Sequence, residues 1–116
     1  MKIFILSLAF ILFFSTIAYS HPPEYIEVKI IRGLLVIKVE HSAGNSLRHY
    51  IDRIKVVINQ KKTYEKEFTS QLGFIQESYF LIRDLQEEDR VQITAYCNMY
   101  GELTKEIIVF FDKEKN

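Results

Sequence analysis

Residues 34–41, LLVIKVEH, and residues 90–97, RVQITAYC, carry aliphatic or small apolar side chains at every second position. Because successive side chains of a strand point to opposite faces, Leu35, Ile37 and Val39 share one face of the first segment. Val91, Ile93 and Ala95 share one face of the second in the same way. His41 and Cys97 continue these two faces. We expect both segments to be strands with one buried side.

Five further runs of β-branched and aromatic residues surround these two, and polar turns separate them about every 8 to 12 residues. No stretch holds helical apolar spacing. The sequence predicts an all-β domain, a seven-stranded immunoglobulin-like β-sandwich without the tryptophan and cysteine pair of antibody domains. The predicted strands, A to G, are Tyr25 to Ile31, Leu34 to His41, His49 to Ile58, Lys62 to Phe68, Glu77 to Ile82, Arg90 to Cys97 and Leu103 to Phe111.

The amino-terminal twenty residues have the composition of a secretory signal peptide. Lys2 is followed by a run of Ile, Leu and Phe from Ile3 to Phe14, and Ala18-Tyr19-Ser20 places small residues where a signal peptidase cleaves. We expect cleavage after Ser20, with cleavage after Ala18 or retention as a membrane anchor as the alternatives. The predicted organisation is a signal peptide at 1–20, the sandwich at 21–111 and a flexible tail at 112–116. The protein is then secreted or periplasmic, with no stable membrane span after cleavage.

Charge and cysteine content limit the classes of function. The chain has 15 basic and 15 acidic side chains, one cysteine and three histidines. A neutral chain has no basic field for a nucleic-acid backbone, so we expect no nucleic-acid partner. One cysteine excludes an internal disulfide and a cysteine-only zinc site.

Strand direction predicts that the chemically reactive side chains meet at one end. Successive strands of such a sandwich mostly alternate in direction, so the start of A, the end of B, the start of C, the end of F and the start of G share an end. Those positions hold His21, His41, His49, Cys97 and Tyr100. Imidazole and thiolate are donors that suit borderline transition metals, so this end is a predicted metal site.

Each of these residues also has a structural interpretation. Cys97 fits as the last member of the apolar face of strand F, where a free cysteine behaves as a small buried hydrophobe. His49 fits as a hydrogen-bond donor to a loop carbonyl, and His21 as a terminal residue. The predicted convergence of all of them is what favours the metal site.

Two segments resemble the iron-binding domain of desulfoferrodoxin and superoxide reductase. His41 to Ile51, HSAGNSLRHYI, resembles the HPMTxxHYI-type motif of that family, and Cys97 to Gly101, CNMYG, resembles its CNxHG motif. His21-Pro22-Pro23 resembles the family's earlier HxP ligand segment, so the likeness covers most of the chain after the signal. The family has an immunoglobulin-like sandwich whose iron has four imidazole ligands and one thiolate ligand.

The resemblance implies iron as the cofactor, with His21, His41, His49 and Cys97 as ligands and Tyr100 where the family has its fourth histidine. It also implies an oxidoreductase acting on superoxide or another small oxidant, with an electron donor as partner. This sequence departs from the family in the eight-residue spacing from His41 to His49 and in lacking the Glu-Lys pair before His21. The same donors would also accept zinc or copper.

Two functions of other classes compete with this one. Cleavage after Ser20 would leave His21 as the first residue, and its amine and imidazole could bind copper together with His41 or His49, as in a histidine brace. The other alternative is a metal-free extracytoplasmic module that binds a protein or peptide through a sheet edge or its loops.

Overall fold

The computed structural model describes residues 22–42, 47–99 and 101–111. Seven strands and no helix occur within these residues, so the all-β prediction is confirmed. The strands are β1 (Tyr25–Ile31), β2 (Leu34–Glu40), β3 (Ile51–Ile58), β4 (Lys62–Glu67), β5 (Ile75–Leu81), β6 (Arg90–Cys97) and β7 (Glu102–Ile108).

The strands form two antiparallel sheets. One sheet has three strands in the order β1-β2-β5, and the other has four in the order β4-β3-β6-β7. The β1–β2 turn is made by Arg32 and Gly33, both with positive φ, which is the backbone of a tight two-residue hairpin. Asn59 and Gln60 also have positive φ in the β3–β4 turn. Both turns lie between strands whose predicted bounds leave these residues as connections.

One apolar cluster draws side chains from both sheets, which gives the molecule the architecture of a β-sandwich. The faces predicted for the two defining segments are the buried ones, since Leu35, Ile37 and Val39 are fully buried, as are Val91, Ile93 and Ala95. The remaining members come from the other strands and the loops: Ile26, Ile51, Ile54, Val56, Ile58, Phe80, Ile82, Leu85 and Val109.

The predicted strand bounds hold for β1 and β6 and shift by one to three residues elsewhere. One shift concerns a site residue. His49 was expected to open the third strand, but β3 begins at Ile51 and His49 lies in the preceding turn. The residues on both sides of His49 bond to Asn98 there instead of continuing the ladder.

The predicted signal peptide and the predicted tail after Phe111 fall outside the described residues, and so do His21 and Tyr100. Among the residues that are described, none belongs to a helix long and apolar enough to cross a membrane.

Candidate metal site

Three of the five predicted ligands meet at one end of the molecule. A nitrogen of His41, a nitrogen of His49 and the sulfur of Cys97 all lie within 4.8 Å of one another. The two imidazole rings pack edge to face, with centroids 4.5 Å apart and planes at 90°. His41 and Cys97 are buried and His49 is half-buried. The predicted convergence is therefore present for these three residues.

A bulge in β3 turns the His49 segment toward the other two. Ile54 pairs with Ala95, but Ile51 pairs with Cys97, so three residues of β3 span two of β6 and Asp52 is the extra residue. In a regular strand, two residues three positions apart face opposite sides. The bulge lets Ile51 face the core as Ile54 does. His49, two residues before Ile51, then approaches the site from the same side.

Gln71 fixes the position of the His41 ring and determines which ring nitrogen carries the proton. Its Nε2 donates to the carbonyl oxygens of His41 (2.6 Å) and Gly73 (2.8 Å), and its Oε1 accepts the N–H of Ile51 at 3.2 Å. The same Oε1 lies 2.8 Å from Nδ1 of His41. An amide oxygen can only accept, so Nδ1 carries the proton. In neutral His41 the lone pair is then on Nε2.

Asn98 holds the turn that carries His49. Its Oδ1 accepts the N–H of Tyr50 (2.9 Å) and its Nδ2 donates to the carbonyl of Arg48 (2.9 Å). The backbone N–H of Asn98 also donates to the carbonyl of Tyr50 at 3.0 Å. The residues on both sides of His49 are therefore tied to the residue that follows Cys97.

The amino-terminal strand enters beside the same loop. Gly101 has a φ of +84°, and a Cβ there would lie 2.9 Å from the Cβ of Pro22, so only glycine fits against the proline. The carbonyl of Gly101 accepts the N–H of Cys97 at 3.0 Å. Pro22, which follows His21 in the chain, is thus placed next to the loop that carries Cys97.

Sequence reasoning missed Gln71 and Asn98. Gln71 lies in a polar loop with no pattern of its own, and its role depends on a contact with a residue thirty positions earlier. Asn98 stands in the CNMYG segment that carries the resemblance, but its bonds to Arg48 and Tyr50 are visible only in the fold. Both side chains position a histidine.

Comparisons with known proteins leave the site to be interpreted from its own geometry. No protein-family model and no curated protein matches the chain. Among solved structures, the chain is similar to the hypothetical protein PH1083 from Pyrococcus horikoshii OT3, with a TM-score of 0.47 and 18% sequence identity. That likeness covers 78% of this chain and 88% of the other.

Proposed function

We propose that the protein is an exported metal-binding domain whose metal is iron, with zinc and copper as the competing ions. One observation carries the proposal: two imidazoles and a thiol lie within 4.8 Å of one another. These donors suit borderline first-row metals, and thiolate with imidazole is a donor set that iron, zinc and copper all accept.

The residues fit a metal in three respects. First, Gln71 holds the proton of His41 on Nδ1, which leaves the Nε2 lone pair as the donor. An outer hydrogen bond of this kind is the usual partner of a metal-bound imidazole. Second, Nε2 of His41 and Nε2 of His49 are both buried. Third, the three donor atoms are close enough for one ion to be held between them after small side-chain movements.

Two further ligands are proposed from the resemblance to the superoxide reductase iron domain. His21 would add a third imidazole, and the packing of Pro22 against Gly101 supports its lying at this end. Tyr100 would supply a phenolate where the family has a histidine. The chain has three histidines in all, so one chain cannot form a shell of four imidazoles.

We infer an immunoglobulin-like topology from the strand order. The β1-β2-β5 sheet corresponds to strands A, B and E, and β3-β6-β7 to strands C, F and G. The fourth strand pairs with β3 here, whereas strand D of an immunoglobulin constant domain pairs with E. The proposed topology is thus a variant with strand D in the other sheet.

The proposed activity is reduction of superoxide or another small oxidant. Bound iron would supply one-electron exchange at this end of the molecule. The protein's own residues would bind the metal and orient its ligands. Cys97 would bind as a thiolate, Gln71 would hold the His41 ring, and Asn98 would hold the turn that carries His49.

Metal analysis of natively purified protein tests the proposal. We expect about one iron per chain and a thiolate-to-iron charge-transfer band. In Cys97→Ser the band should vanish. Met99→Leu is the matched control, because it removes the other sulfur near this loop and should leave the band in place. Far-UV circular dichroism of both variants verifies that each is folded.

Three results would contradict the iron proposal. Zinc at one ion per chain would change the metal but keep the site. Copper bound equally well by Cys97→Ser, in a protein whose sequenced amino terminus is His21, would favour the histidine brace. Iron, zinc and copper all far below one per chain would favour the metal-free interaction module.

A further inference from the structure

The end of the molecule that carries the candidate site also exposes large apolar side chains. Leu72 is 91% exposed, Leu47 75%, Phe74 66% and Met99 60%. We call these four residues the apolar collar. Hydration of exposed apolar side chains is unfavourable, and soluble proteins rarely expose large groups of them.

The four residues lie on the three loops that hold the site. Leu47 is two residues before His49, and Met99 is two residues after Cys97. Leu72 and Phe74 flank Gly73 in the loop of Gln71, and the carbonyl of Phe74 accepts the N–H of His41 at 2.8 Å. The collar is therefore continuous in the chain with the elements that position the donors.

The amino-terminal segment joins the molecule at this same end. Residues 3–20 contain no charged side chain and are dominated by Ile, Leu and Phe. Only His21 separates this segment from Pro22, which packs against Gly101 in the loop next to Met99. Wherever a bilayer holds residues 1–20, the collar end of the domain is held within a few residues of the lipid surface.

The opposite end offers an internal comparison. Phe110 is 70% exposed there, and four further large apolar side chains are 41–57% exposed: Ile31, Leu81, Ile108 and Phe111. The residues that follow Phe111 are Asp-Lys-Glu-Lys-Asn, which are polar or charged. Exposed apolar side chains thus occur at both ends, and the two ends differ in the sequence that adjoins them: residues 3–20 before the collar are uncharged, whereas residues 112–116 after Phe111 are polar or charged.

We propose that, in the form that keeps residues 1–20 as a membrane anchor, the apolar collar rests on the surface of the bilayer, so that the candidate site faces the membrane. The contact is hydrophobic rather than electrostatic, because the chain has a formal net charge of zero. After cleavage at Ser20 the collar would be the remaining lipid contact. This proposal does not depend on a bound metal.

Tryptophan fluorescence tests the contact, because the chain has no tryptophan of its own. Phe74→Trp, Met99→Trp and Phe110→Trp are each made in the full chain and reconstituted into vesicles of phosphatidylcholine with or without bromine on the acyl chains. At the collar, Phe74→Trp and Met99→Trp should lose about half of their emission in brominated lipid, since interfacial side chains reach the acyl boundary. Phe110→Trp should keep its emission.

Three outcomes would overturn the proposal. Equal quenching of all three variants would show general adsorption rather than an oriented contact. Absence of quenching, with blue-shifted Phe74→Trp emission already present without lipid, would show that residues 1–20 cover the collar. Absence of quenching with an emission shift that depends on protein concentration would show that a second copy covers it.

Discussion

At the scale of single residues, Gln71 connects the fold to the candidate site. Its amide is buried and bonds one imidazole nitrogen, two carbonyls and one backbone N–H. All four groups lose their partner if the amide is removed, and a buried polar group without a partner costs about 1–3 kcal/mol. The same amide sets which nitrogen of His41 can donate to a metal.

Gln71→Leu should therefore lower both stability and metal affinity. We expect the free energy of unfolding to fall by about 2–4 kcal/mol, because several buried groups are left unsatisfied. Metal affinity should fall about 10–100-fold, the usual effect of losing an outer hydrogen bond to a ligand. Urea unfolding and metal titration measure the two effects. Gln92→Leu, an exposed glutamine on β6, is the control and should change neither.

Lys62 and Asp84 form an exposed ion pair whose titration gives a second prediction. The hydrogen bond from Lys62 lowers the pKa of Asp84, and the same bond raises the pKa of Lys62. Because the pKa of Asp84 is lowered, its ionised carboxyl stabilises the fold at pH values above the ordinary carboxyl range. This stabilisation is lost as the pH falls through the pKa of the folded state. Because the pKa of Lys62 is raised, its protonated amine stabilises the fold at pH values below the ordinary lysine range. This stabilisation is lost as the pH rises through the pKa of the folded state.

Lys62→Gln should raise the pKa of Asp84 toward the ordinary carboxyl range, although a backbone hydrogen bond still lowers it, with little change in overall stability because the pair is exposed. NMR titration of the carboxyl groups measures the shift. Lys61→Gln removes the neighbouring exposed lysine and should leave the pKa of Asp84 lowered. An Asp84 pKa that stays low in Lys62→Gln would contradict the assignment of its cause.

At the scale of elements, the edges of the two sheets are covered by lysines. On one side Nζ of Lys66 in β4 donates to the carbonyl of Tyr79 in β5, and both strands are sheet edges. On the other side Nζ of Lys105 in β7 donates to the carbonyl of Ile26 in β1 at 3.0 Å. An edge carbonyl that is already bonded and lies under a charge is a poor template for another strand.

Lys66→Ala should therefore expose the β5 edge and increase self-association. Sedimentation velocity over a range of concentrations measures this association. Lys55→Ala removes the same charge from the inner strand β3 without uncovering an edge. Its self-association should equal that of the unmodified protein. Equal association of the two variants would attribute the effect to charge alone.

At the scale of the whole molecule, the core needs no metal. The cluster that joins the sheets consists of apolar side chains alone, so the strands should persist without an ion. We expect chelation to leave the far-UV circular dichroism unchanged. Restoring metal at about 100 times its dissociation constant should raise the free energy of unfolding by about 2.7 kcal/mol.

Cys97→Ser is the control for this measurement and should show a much smaller metal-dependent increment. Loss of the strand signal on chelation would contradict the view that the aliphatic core is sufficient. It would instead make the metal part of the folding equilibrium, as in small zinc domains.

Much of this architecture follows from local sequence. The parts that could not be predicted share one cause. Runs of β-branched and aromatic residues predicted all seven strands, and period-two patterns predicted the buried faces that end in His41 and Cys97, because a strand's faces are set by its own sequence. The bulge at Asp52, the turn position of His49 and the role of Gln71 depend on pairing between distant segments. No local pattern encodes such pairing.

The extra residue in β3 marks a point where the chain should tolerate a change of residue and also the loss of one residue. Asp52 contributes a backbone position between Ile51 and Arg53, so Asp52→Ala should leave the face of every neighbouring side chain unchanged. Deletion of residue 52 would leave Ile51 two positions from Ile54, which is the spacing of residues on one face of a regular strand, so Ile51 and His49 would keep their side. In a library of single deletions and substitutions, metal retention should therefore tolerate both replacement and removal of this codon.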